Sequence, residues 1–171
     1  MIITAAALMM GGSALQAQQV KIGKSNIKLT QDTMTPEALW GMGRIGSAAP
    51  SPDGKKIVYQ VGYYSVQENK GHQMLYVMDA DGKNVKQLTT TDKSETDASW
   101  LDNNTIAYLS DGQIWKMNAD GSNRQKLTSD KIDIEGYKFS PDGKKVVIIK
   151  SLPYYGSIKK NPSDLPKATG R

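Results

Sequence analysis

The sequence contains no cysteine and only one histidine, His72, among its 171 residues. The absence of cysteine excludes a disulfide scaffold, a thiolate zinc site, an iron–sulfur cluster and a cysteine nucleophile. A single histidine excludes a multi-histidine metal site and leaves little for general-base chemistry. The chain also lacks a Gly-x-Ser-x-Gly nucleophile elbow, a phosphate-binding loop and a dinucleotide-binding glycine pattern. We therefore expect no catalytic residue, no metal ligand and no cofactor in these 171 residues.

Three features resemble binding motifs, and each has a simpler structural interpretation. His72 ends a polar stretch, where we expect a solvated loop histidine. The run that begins at Asp79 resembles a calcium loop, but its glycine stands at the fourth rather than the sixth position and a glutamate at the twelfth is absent. A hairpin turn is the better interpretation. Asn103 opens a glycosylation sequon, but it lies in a predicted tight turn, which disfavours modification.

The net charge of +5 comes from one end of the chain. Residues 141–171 carry seven Lys or Arg and two Asp or Glu, whereas residues 1–140 carry fifteen of each kind. A nucleic-acid-binding surface requires basic residues spread over the fold. We therefore expect no nucleic-acid partner. Residues 151–171 form a basic segment rich in Pro and Gly, which predicts a solvated loop rather than an acidic-partner site.

Residues 1–17 are apolar or small and carry no charge. This run is too short to cross a hydrocarbon core of about 30 Å. It ends in small residues at Ala17 and matches the apolar and cleavage regions of a secretory signal peptide, without the basic region that precedes them. We expect cleavage near Ala17, a start codon upstream of Met1, a periplasmic or secreted location, and no membrane contact after cleavage. The alternative is a buried N-terminal helix.

One internal repeat matches residues 75–89 with residues 114–128, without a gap and at an offset of 39. Both copies contain Met-Asx-Ala-Asp-Gly and end in Leu-Thr. An Asp-Gly pair between two apolar stretches is typical of a tight hairpin turn. The repeat therefore predicts two copies of one strand–turn–strand unit.

A second pattern, Ser-Pro-Asp-Gly followed by an apolar run, begins at Ser51 and Ser140 and has a variant at Trp100. Its aspartates are 49 and 40 residues apart, because the polar stretch 65–72 lengthens the first interval; they are Asp53, Asp102 and Asp142. Proline, aspartate and glycine in this order favour a turn, and the apolar runs favour strands buried on both faces. A period near 40 with strand-like units is typical of propeller blades.

Together the two patterns predict an all-β partial propeller over residues 46–150, with about two and a half four-stranded blades of about 40 residues. The first strand of each blade is predicted at Gly46–Ala49, Asp97–Trp100 and Ile134–Phe139. Five aromatic residues fall at repeat positions, which favours packing between blades over ligand stacking; they are Tyr59, Tyr76, Trp100, Tyr108 and Trp115.

Residues 18–45 form an N-terminal extension, in which Thr35, Pro36 and Gly41 predict the N-cap, first position and end of a short helix. A closed propeller has about four to eight blades. We therefore expect the chain to be the N-terminal piece of a longer protein, truncated within the loop segment 151–171. The alternative is a ring assembled from several copies.

The Ser-Pro-Asp-Gly-Lys strands and Met-Asx-Ala-Asp-Gly hairpins resemble the propellers of TolB-like proteins and of the prolyl oligopeptidase family. Two further stretches, Thr35-Pro-Glu before the first blade and the closing run Asp164–Arg171, are similar to exported bacterial enzymes of the dipeptidyl-peptidase V type within that family.

This resemblance implies a secreted or periplasmic serine peptidase that releases dipeptides from short peptides. Its N-terminal propeller would gate and scaffold a C-terminal α/β-hydrolase domain that carries Ser, Asp and His. The partners implied are that missing domain and peptide substrates. The resemblance implies no catalytic residue within these 171 positions, and His72 does not match the family's catalytic histidine. The alternative function is a non-enzymatic TolB-like binding module of the cell envelope.

Overall fold

The computed structural model describes residues 22–24, 26 and 33–152. The described part contains a short helix and ten strands, in the order α1 (Pro36–Gly41), β1 (Arg44–Pro50), β2 (Lys56–Ser65), β3 (Lys70–Asp79), β4 (Lys86–Gln87), β5 (Glu95–Trp100), β6 (Thr105–Ser110), β7 (Gln113–Asn118), β8 (Gln125–Lys126), β9 (Gly136–Phe139) and β10 (Val146–Ile149). Within these residues, α1 is the single helix, and its length rules it out as a membrane span.

The strands form two complete four-stranded antiparallel blades and the first two strands of a third. The first blade has the order β1-β2-β3-β4, the second has the order β5-β6-β7-β8, and β9 pairs with β10. This arrangement confirms the predicted all-β partial propeller. The predicted signal peptide 1–17 and the run Asp164–Arg171 lie outside the described residues.

The Ser-Pro-Asp-Gly turns join the first two strands of a blade through a shared hydrogen-bond pattern. In the first blade, Ser51 Oγ donates to Asp53 Oδ1 at 2.7 Å and accepts from Lys56 N at 2.9 Å. In the third blade, Ser140 and Asp142 repeat this pattern. The serine hydroxyl and a backbone N–H lower the pKa of both aspartates. These hydrogen bonds therefore favour the ionised form of each carboxyl group.

The outer strands β4 and β8 are only two residues long, and a threonine hydroxyl continues each of them. Leu75 N in β3 donates to Thr89 Oγ1, and Ile114 N in β7 donates to Thr128 Oγ1, each at 3.0 Å. These hydroxyls accept bonds from amides that a longer outer strand would otherwise pair. The Leu-Thr end of the repeat is explained by this closure.

The first two blades pack through side chains that project from their facing sheets. Val58 and Leu75 of the first blade are fully buried against Ile106 and Tyr108 of the second. The indole Nε1 of Trp100 also donates to Ala49 O at 2.9 Å, which ties the inner strands β1 and β5 together. The predicted role of the repeated aromatics between blades is thus confirmed for Trp100 and Tyr108, and for Trp115, which packs on the same cluster.

Two of the repeated aromatics lie on the face of the first blade that points away from the second blade, so their packing between blades stays a prediction. The rings of Tyr59 and Tyr76 stack at 5.6 Å on the opposite face of the first blade. There they pack against Val61, Met74 and Ile22 of the N-terminal extension. Side chains along a strand alternate between the two faces of a sheet. Tyr59 in β2 pairs with Tyr76 in β3, so both lie on the same face, which points away from the second blade.

The third blade is buried on one side only. Tyr137, Phe139 and Ile148 pack against the second blade. Val147 is 68% exposed and Ile149 is 60% exposed on the other face. Burial on both faces requires a neighbouring blade on that side, and the described residues contain none there, so this expectation stays a prediction.

The N-terminal helix is confirmed: the Thr35 hydroxyl accepts from Ala38 N at 3.2 Å, and Pro36 occupies its first turn. The strand bounds differ from the prediction in the polar stretch 65–72. There β2 continues to Ser65 and β3 begins at Lys70, because the inserted residues lengthen the hairpin. The first strands of the blades also shift by a few residues; the third begins at Gly136 rather than Ile134.

Candidate functional site

A cavity of about 380 Å³ opens in the first blade, at the end where α1 precedes β1. We call this end of the blades the linker end, because the inter-blade linker, residues 88–94, reaches it there. The opposite end carries the Asp-Gly turns. The cavity is lined by residues of β1, β2, β3 and the linker, namely Arg44, Ile45, Gly46, Gln60, Gly62, Tyr63, Tyr64, Gly71, His72, Gln73 and Ser94.

Glycines on three adjacent strands form the floor of this cavity. A Cβ added at Gly62 would have its nearest neighbour, Arg44 O, at 3.8 Å, and one at Gly71 would have the Tyr64 ring at 3.7 Å. These are ordinary contact distances, so a methyl group would fit at either position without displacing a neighbour. A Cβ at Gly46 would lie 3.0 Å from the Gln60 amide nitrogen, which is a tight contact. The lining therefore has room for a small side chain at Gly62 and Gly71 but little at Gly46.

The polar groups around the cavity suit binding rather than bond-breaking chemistry. The carboxamides of Gln60 and Gln73 are hydrogen-bonded to each other, and Gln73 N donates to Ser94 Oγ at 3.2 Å. The Arg44 guanidinium lies 5.1 Å from the Trp40 ring centre, and the Trp40 and Tyr64 rings are 5.0 Å apart. Carboxamides and a guanidinium recognise peptide groups and carboxylates. A nucleophile paired with a general base is absent from this lining.

His72 lies inside strand β3 and is only 5% exposed. The expectation of a solvated loop histidine was therefore wrong. Its Nε2 is 2.8 Å from Lys93 O in the linker, and its Nδ1 is 3.2 Å from Ile22 O in the N-terminal extension. The sequence misled because the turn after β2 spans only residues 66–69, so that β3 begins two residues before the histidine.

A buried ion pair crosses the second blade near the linker. Glu95, the first residue of β5, is fully buried. Its Oε1 accepts from Arg124 Nη2 at 3.1 Å and from the Thr91 hydroxyl. Its Oε2 and the hydroxyl of Tyr108 have no hydrogen-bond partner among the described residues. The guanidinium also lies 5.3 Å from the Tyr108 ring centre and 5.2 Å from that of Trp115.

Burial raises the pKa of three tyrosines in the blades. Burial raises the pKa of Tyr108 to about 12; the Glu95 carboxylate adds to this rise and the Arg124 guanidinium opposes it. Burial also raises the pKa of Tyr76, with a hydrogen bond to Tyr63 acting in the same direction. Burial raises the pKa of Tyr137. These phenols stay neutral at physiological pH and pack within the blades, where the Tyr137 hydroxyl also donates to Asp97 O.

The remaining candidate motifs fall in the turns that the sequence predicted. Asp79 and Asp81 flank a hairpin turn in which Asp79 N donates to Lys83 O at 2.9 Å. The side chain of Asn103 accepts from Asp53 N at 3.0 Å, and so it links two turns of neighbouring blades. Among residues 22–24, 26 and 33–152, the His, Asp and Glu side chains do not form a group of three that suits a metal ion.

Sequence reasoning missed the pair of Glu95 and Arg124, whose members are 29 residues apart and in different strands or turns. A signal was nevertheless present in the repeat. At the matched position 39 residues earlier, the first copy has Val85, which is 57% exposed, whereas the second copy has Arg124. An arginine that replaces an apolar residue within an otherwise matching unit marks a contact specific to one blade.

Comparison with known proteins agrees with this architecture. A family model described as the TolB beta propeller domain matches residues 16–163. The Dipeptidyl-peptidase 5 of Porphyromonas endodontalis is 35% identical over 159 residues, which is 87% of this chain and 23% of that protein. The Dipeptidyl-peptidase 5 of Porphyromonas gingivalis is 38% identical over 147 residues, which is 83% of this chain and 22% of that protein. The chain thus spans less than a quarter of these relatives.

Solved structures share the fold at low sequence identity. The apo AtxE2 isopeptidase aligns over 64% of this chain and 22% of its own, with a TM-score of 0.52 and 19% identity. The acylaminoacyl peptidase of Pyrococcus horikoshii aligns over 66% of this chain and 18% of its own, with a TM-score of 0.52 and 14% identity. The blades, their repeats and the family match lead to one conclusion: the chain belongs to the TolB β-propeller domain family.

Proposed function

We propose that this chain is the N-terminal propeller portion of an exported serine peptidase that releases dipeptides from the N-termini of short peptides. The observation that carries the proposal is the 35–38% identity to two proteins named Dipeptidyl-peptidase 5 over 83–87% of this chain. The same alignments cover only 22–23% of those proteins, which leaves ample length for a catalytic domain.

In the proposed enzyme, this chain shapes access to the catalytic domain and does no chemistry of its own. The reaction would be acyl transfer, in which a serine attacks the scissile carbonyl, a histidine moves the proton, an aspartate orients the histidine and backbone amides hold the oxyanion. These groups would belong to an α/β-hydrolase domain beyond Arg171. The blades would restrict entry to short, unfolded peptides, and their rigid contacts, such as Trp100 with Ala49, support that role.

The cavity at the linker end is a candidate surface for contact with those peptides. Its Gln60 and Gln73 carboxamides offer both donors and acceptors to a peptide backbone, and Arg44 supplies a positive charge beside them. The proposed export is supported by the resemblance of residues 1–17 to a signal peptide, and cleavage near Ala17 would place the mature protein in the periplasm or outside the cell.

The decisive experiment extends the coding sequence past the codon for Arg171 and assays the whole product. We expect further blades, then a Gly-x-Ser-x-Gly elbow with a downstream Asp and His. The purified product should release dipeptides from peptides with a free N-terminus and not from acetylated ones. Further blades followed by a stop codon, with no elbow, would overturn the proposal in favour of a TolB-like binding module.

A matched control uses the 171-residue chain alone, which should hydrolyse neither peptide. Replacing the elbow serine by alanine in the long product should abolish release while leaving the blades intact. Export is tested separately, by sequencing the N-terminus of the protein recovered from periplasm or medium. A mature chain that begins near Gln18 supports export, whereas retention in the cytoplasm with Met1 present contradicts it.

A further inference from the structure

Three strands of the first blade bring Arg44, Gly62 and Gln73 into one row across the cavity at the linker end. Arg44 of β1 pairs with Gly62 of β2, and Gly62 in turn pairs with Gln73 of β3. Residues that pair directly across antiparallel strands lie on the same face of the sheet. Neighbouring strands are about 4.8 Å apart, so the side chains of Arg44 and Gln73 stand on either side of Gly62.

The glycine in the middle of this row leaves a gap between its two neighbours. A Cβ added at Gly62 would lie 3.8 Å from Arg44 O and 3.9 Å from Gln73 Cγ, so a side chain at this position would stand between the two flanking residues. All three residues line the cavity. Room for a group of a bound ligand therefore lies between the Arg44 and Gln73 side chains.

The polar groups beside the gap are mainly free to donate hydrogen bonds. The carboxamide oxygen of Gln73 accepts from Gln60 Nε2, and the Gln60 oxygen accepts from the Ser47 hydroxyl at 3.4 Å. Within the part of the chain that the structure describes, the Nε2 group of Gln73 is left without an acceptor. The Arg44 guanidinium only donates, and one of its nitrogens reaches Leu39 O at 3.5 Å. The gap therefore suits a group that accepts hydrogen bonds.

The charge beside the gap also favours an acceptor that is negative. Arg44 contributes a guanidinium, and the lining, as far as the structure describes it, contains no Asp or Glu side chain. The guanidinium is supported by the Trp40 ring at 5.1 Å, and this ring lies 5.0 Å from that of Tyr64. A carboxylate is planar, negative and acceptor-only, so it matches a guanidinium on one side and a carboxamide N–H on the other.

We propose that the gap above Gly62 binds a carboxylate of a short peptide, with Arg44 and Gln73 donating hydrogen bonds to its oxygens. This carboxylate is either the C-terminus of the peptide or the side chain of an acidic residue within it. That the peptide is a substrate rests on the function proposed above.

The size of the cavity agrees with a ligand larger than the carboxylate alone. Its volume of about 380 Å³ falls within the range of about 300–1,000 Å³ that is usual for small-molecule sites. Ile45 and Tyr64 line the same cavity and offer apolar surface to the residue that carries the carboxylate. The site therefore selects the charge of the ligand through Arg44 and tolerates different apolar neighbours.

Titration of the full chain with two pairs of acetylated peptides tests the site, with NMR of the Arg44 guanidinium and the Gln73 side-chain amide as the measurement. The first pair is acetyl-Ala-Ala-Ala as the free acid and as the C-terminal amide. The second pair, acetyl-Ala-Glu-Ala amide and acetyl-Ala-Gln-Ala amide, carries a carboxylate on the side chain alone. In at least one pair, the peptide with the carboxylate should bind about tenfold more tightly, because hydrogen bonds to a charged acceptor are the stronger ones.

The two pairs distinguish the two sources of the carboxylate. Preference for the free acid in the first pair alone identifies the C-terminus as the ligand, and preference for the glutamate peptide alone identifies an acidic side chain. Preference in both pairs shows that the site accepts either. Equal affinity within each pair, or no binding of any of the four peptides, overturns the proposal.

Two variants and two matched controls locate the site within the cavity. Gly62→Ala places a methyl group in the gap and should weaken binding of the carboxylate peptide about fivefold or more. Arg44→Gln removes the positive charge and should weaken it about tenfold or more. Gly71→Ala adds the same methyl group beside the Tyr64 ring, and Lys70→Gln removes an exposed charge at the start of β3; each should change the affinity by no more than about twofold.

The variants and the wild type give separate grounds for rejecting the site. Unchanged affinity in both Gly62→Ala and Arg44→Gln, or an equal loss in the controls, overturns the proposal. If a variant fails to fold, the comparison of peptides with the wild-type chain still decides. Failure of this site leaves the proposed peptidase untouched, since the coding sequence past Arg171 tests that function. Absence of a hydrolase domain would likewise leave the site in place, because binding is measured without catalysis.

Discussion

The carboxylate of Glu95 and the guanidinium of Arg124 form an ion pair at 3.1 Å, with Glu95 fully buried and Arg124 partly exposed. Arg124 reaches this position across the rings of Tyr108 and Trp115. Arg124 precedes β8, the outermost strand of the second blade, and Glu95 is the first residue of β5, the innermost strand. The pair therefore spans the sheet.

Arg124→Met should destabilise the chain by about 3 kcal/mol, because it leaves the Glu95 carboxylate buried without a counter-charge. Glu95→Gln should cost less, about 1–2 kcal/mol, and the double variant should fall well short of the sum. Urea unfolding followed by tryptophan fluorescence measures these values. Lys126→Met is the matched control, because Lys126 lies 5.9 Å from the same Trp115 ring but has no buried partner. Equal losses of stability in Lys126→Met and Arg124→Met would contradict the prediction.

Tyr108→Phe should leave stability unchanged or raise it by up to about 1 kcal/mol, because it removes a buried hydroxyl that has no hydrogen-bond partner among the described residues. Tyr137→Phe is the contrasting variant, since the Tyr137 hydroxyl donates to Asp97 O at 2.7 Å. Its loss should cost about 1 kcal/mol. Thermal unfolding measures the stability of both variants. A larger loss of stability in Tyr108→Phe than in Tyr137→Phe would contradict the prediction.

Spectroscopy gives an independent test of the same residue. The pKa of Tyr108 is raised to about 12 by burial, so its hydroxyl contributes no more than about a tenth of one phenolate to the absorbance below about pH 11. The absorbance titration of Tyr108→Phe should therefore coincide with that of the wild type up to this pH. If the variant instead shows less phenolate absorbance than the wild type below about pH 10, Tyr108 ionises in that range and the prediction is wrong.

Trp100→Phe should weaken the contact between the first two blades by about 1–2 kcal/mol, because it removes the bond from the indole Nε1 to Ala49 O. Hydrogen exchange of the β1 and β2 amides should become faster. Trp115→Phe removes a bond to Ser110 O and should lower stability. Because Trp115 packs on the cluster that contains Leu75 of β3 and not beside Ala49, exchange of the β1 amides should not change. Identical exchange patterns in the two variants would mean that Trp100 does not couple the blades.

The Ser-Pro-Asp-Gly turns should make the chain sensitive to acid. Hydrogen bonds from Ser51 and Lys55 N lower the folded-state pKa of Asp53, and Ser140 and Lys144 N do the same for Asp142. A lowered pKa means that the carboxylate stabilises the fold above about pH 4 and loses this effect as the pH falls through the folded value. Between about pH 6 and 3, the melting temperature should therefore fall less in the double variant Asp53→Asn, Asp142→Asn than in the wild type. Parallel curves would exclude the carboxylates as the cause.

Val147→Thr with Ile149→Thr should reduce self-association of the chain, because these exposed side chains form the open face of the third blade. Light scattering at increasing protein concentration measures the effect. Val146→Thr serves as the control, since Val146 is partly exposed but its register places it on the same face as Tyr137 and Phe139. Equal association in both variants would contradict a specific role for this face.

The strands and turns of this fold were predictable because local chemistry repeats within them. The Pro-Asp-Gly and Asp-Gly pairs fix the turns at Ser51 and Asp81 whatever surrounds them, and Thr35 with Pro36 defines the helix start in the same way. The unpredicted features depend on contacts between distant segments. The burial of His72 requires Ile22 and Lys93 to come together, and the burial of Glu95 requires Arg124. No periodicity within one strand encodes either contact.

The two-residue outer strands bear on how the blades meet other chains. A free strand edge offers unpaired amides and carbonyls to any extended segment, which is how sheets grow between molecules. In β3 and β7, Thr89 and Thr128 engage an amide on the outer edge with a side-chain hydroxyl. An incoming strand would have to displace these hydroxyls before it could add to the sheet. We therefore expect the threonine that ends each repeat to hinder strand addition at this one amide of each blade.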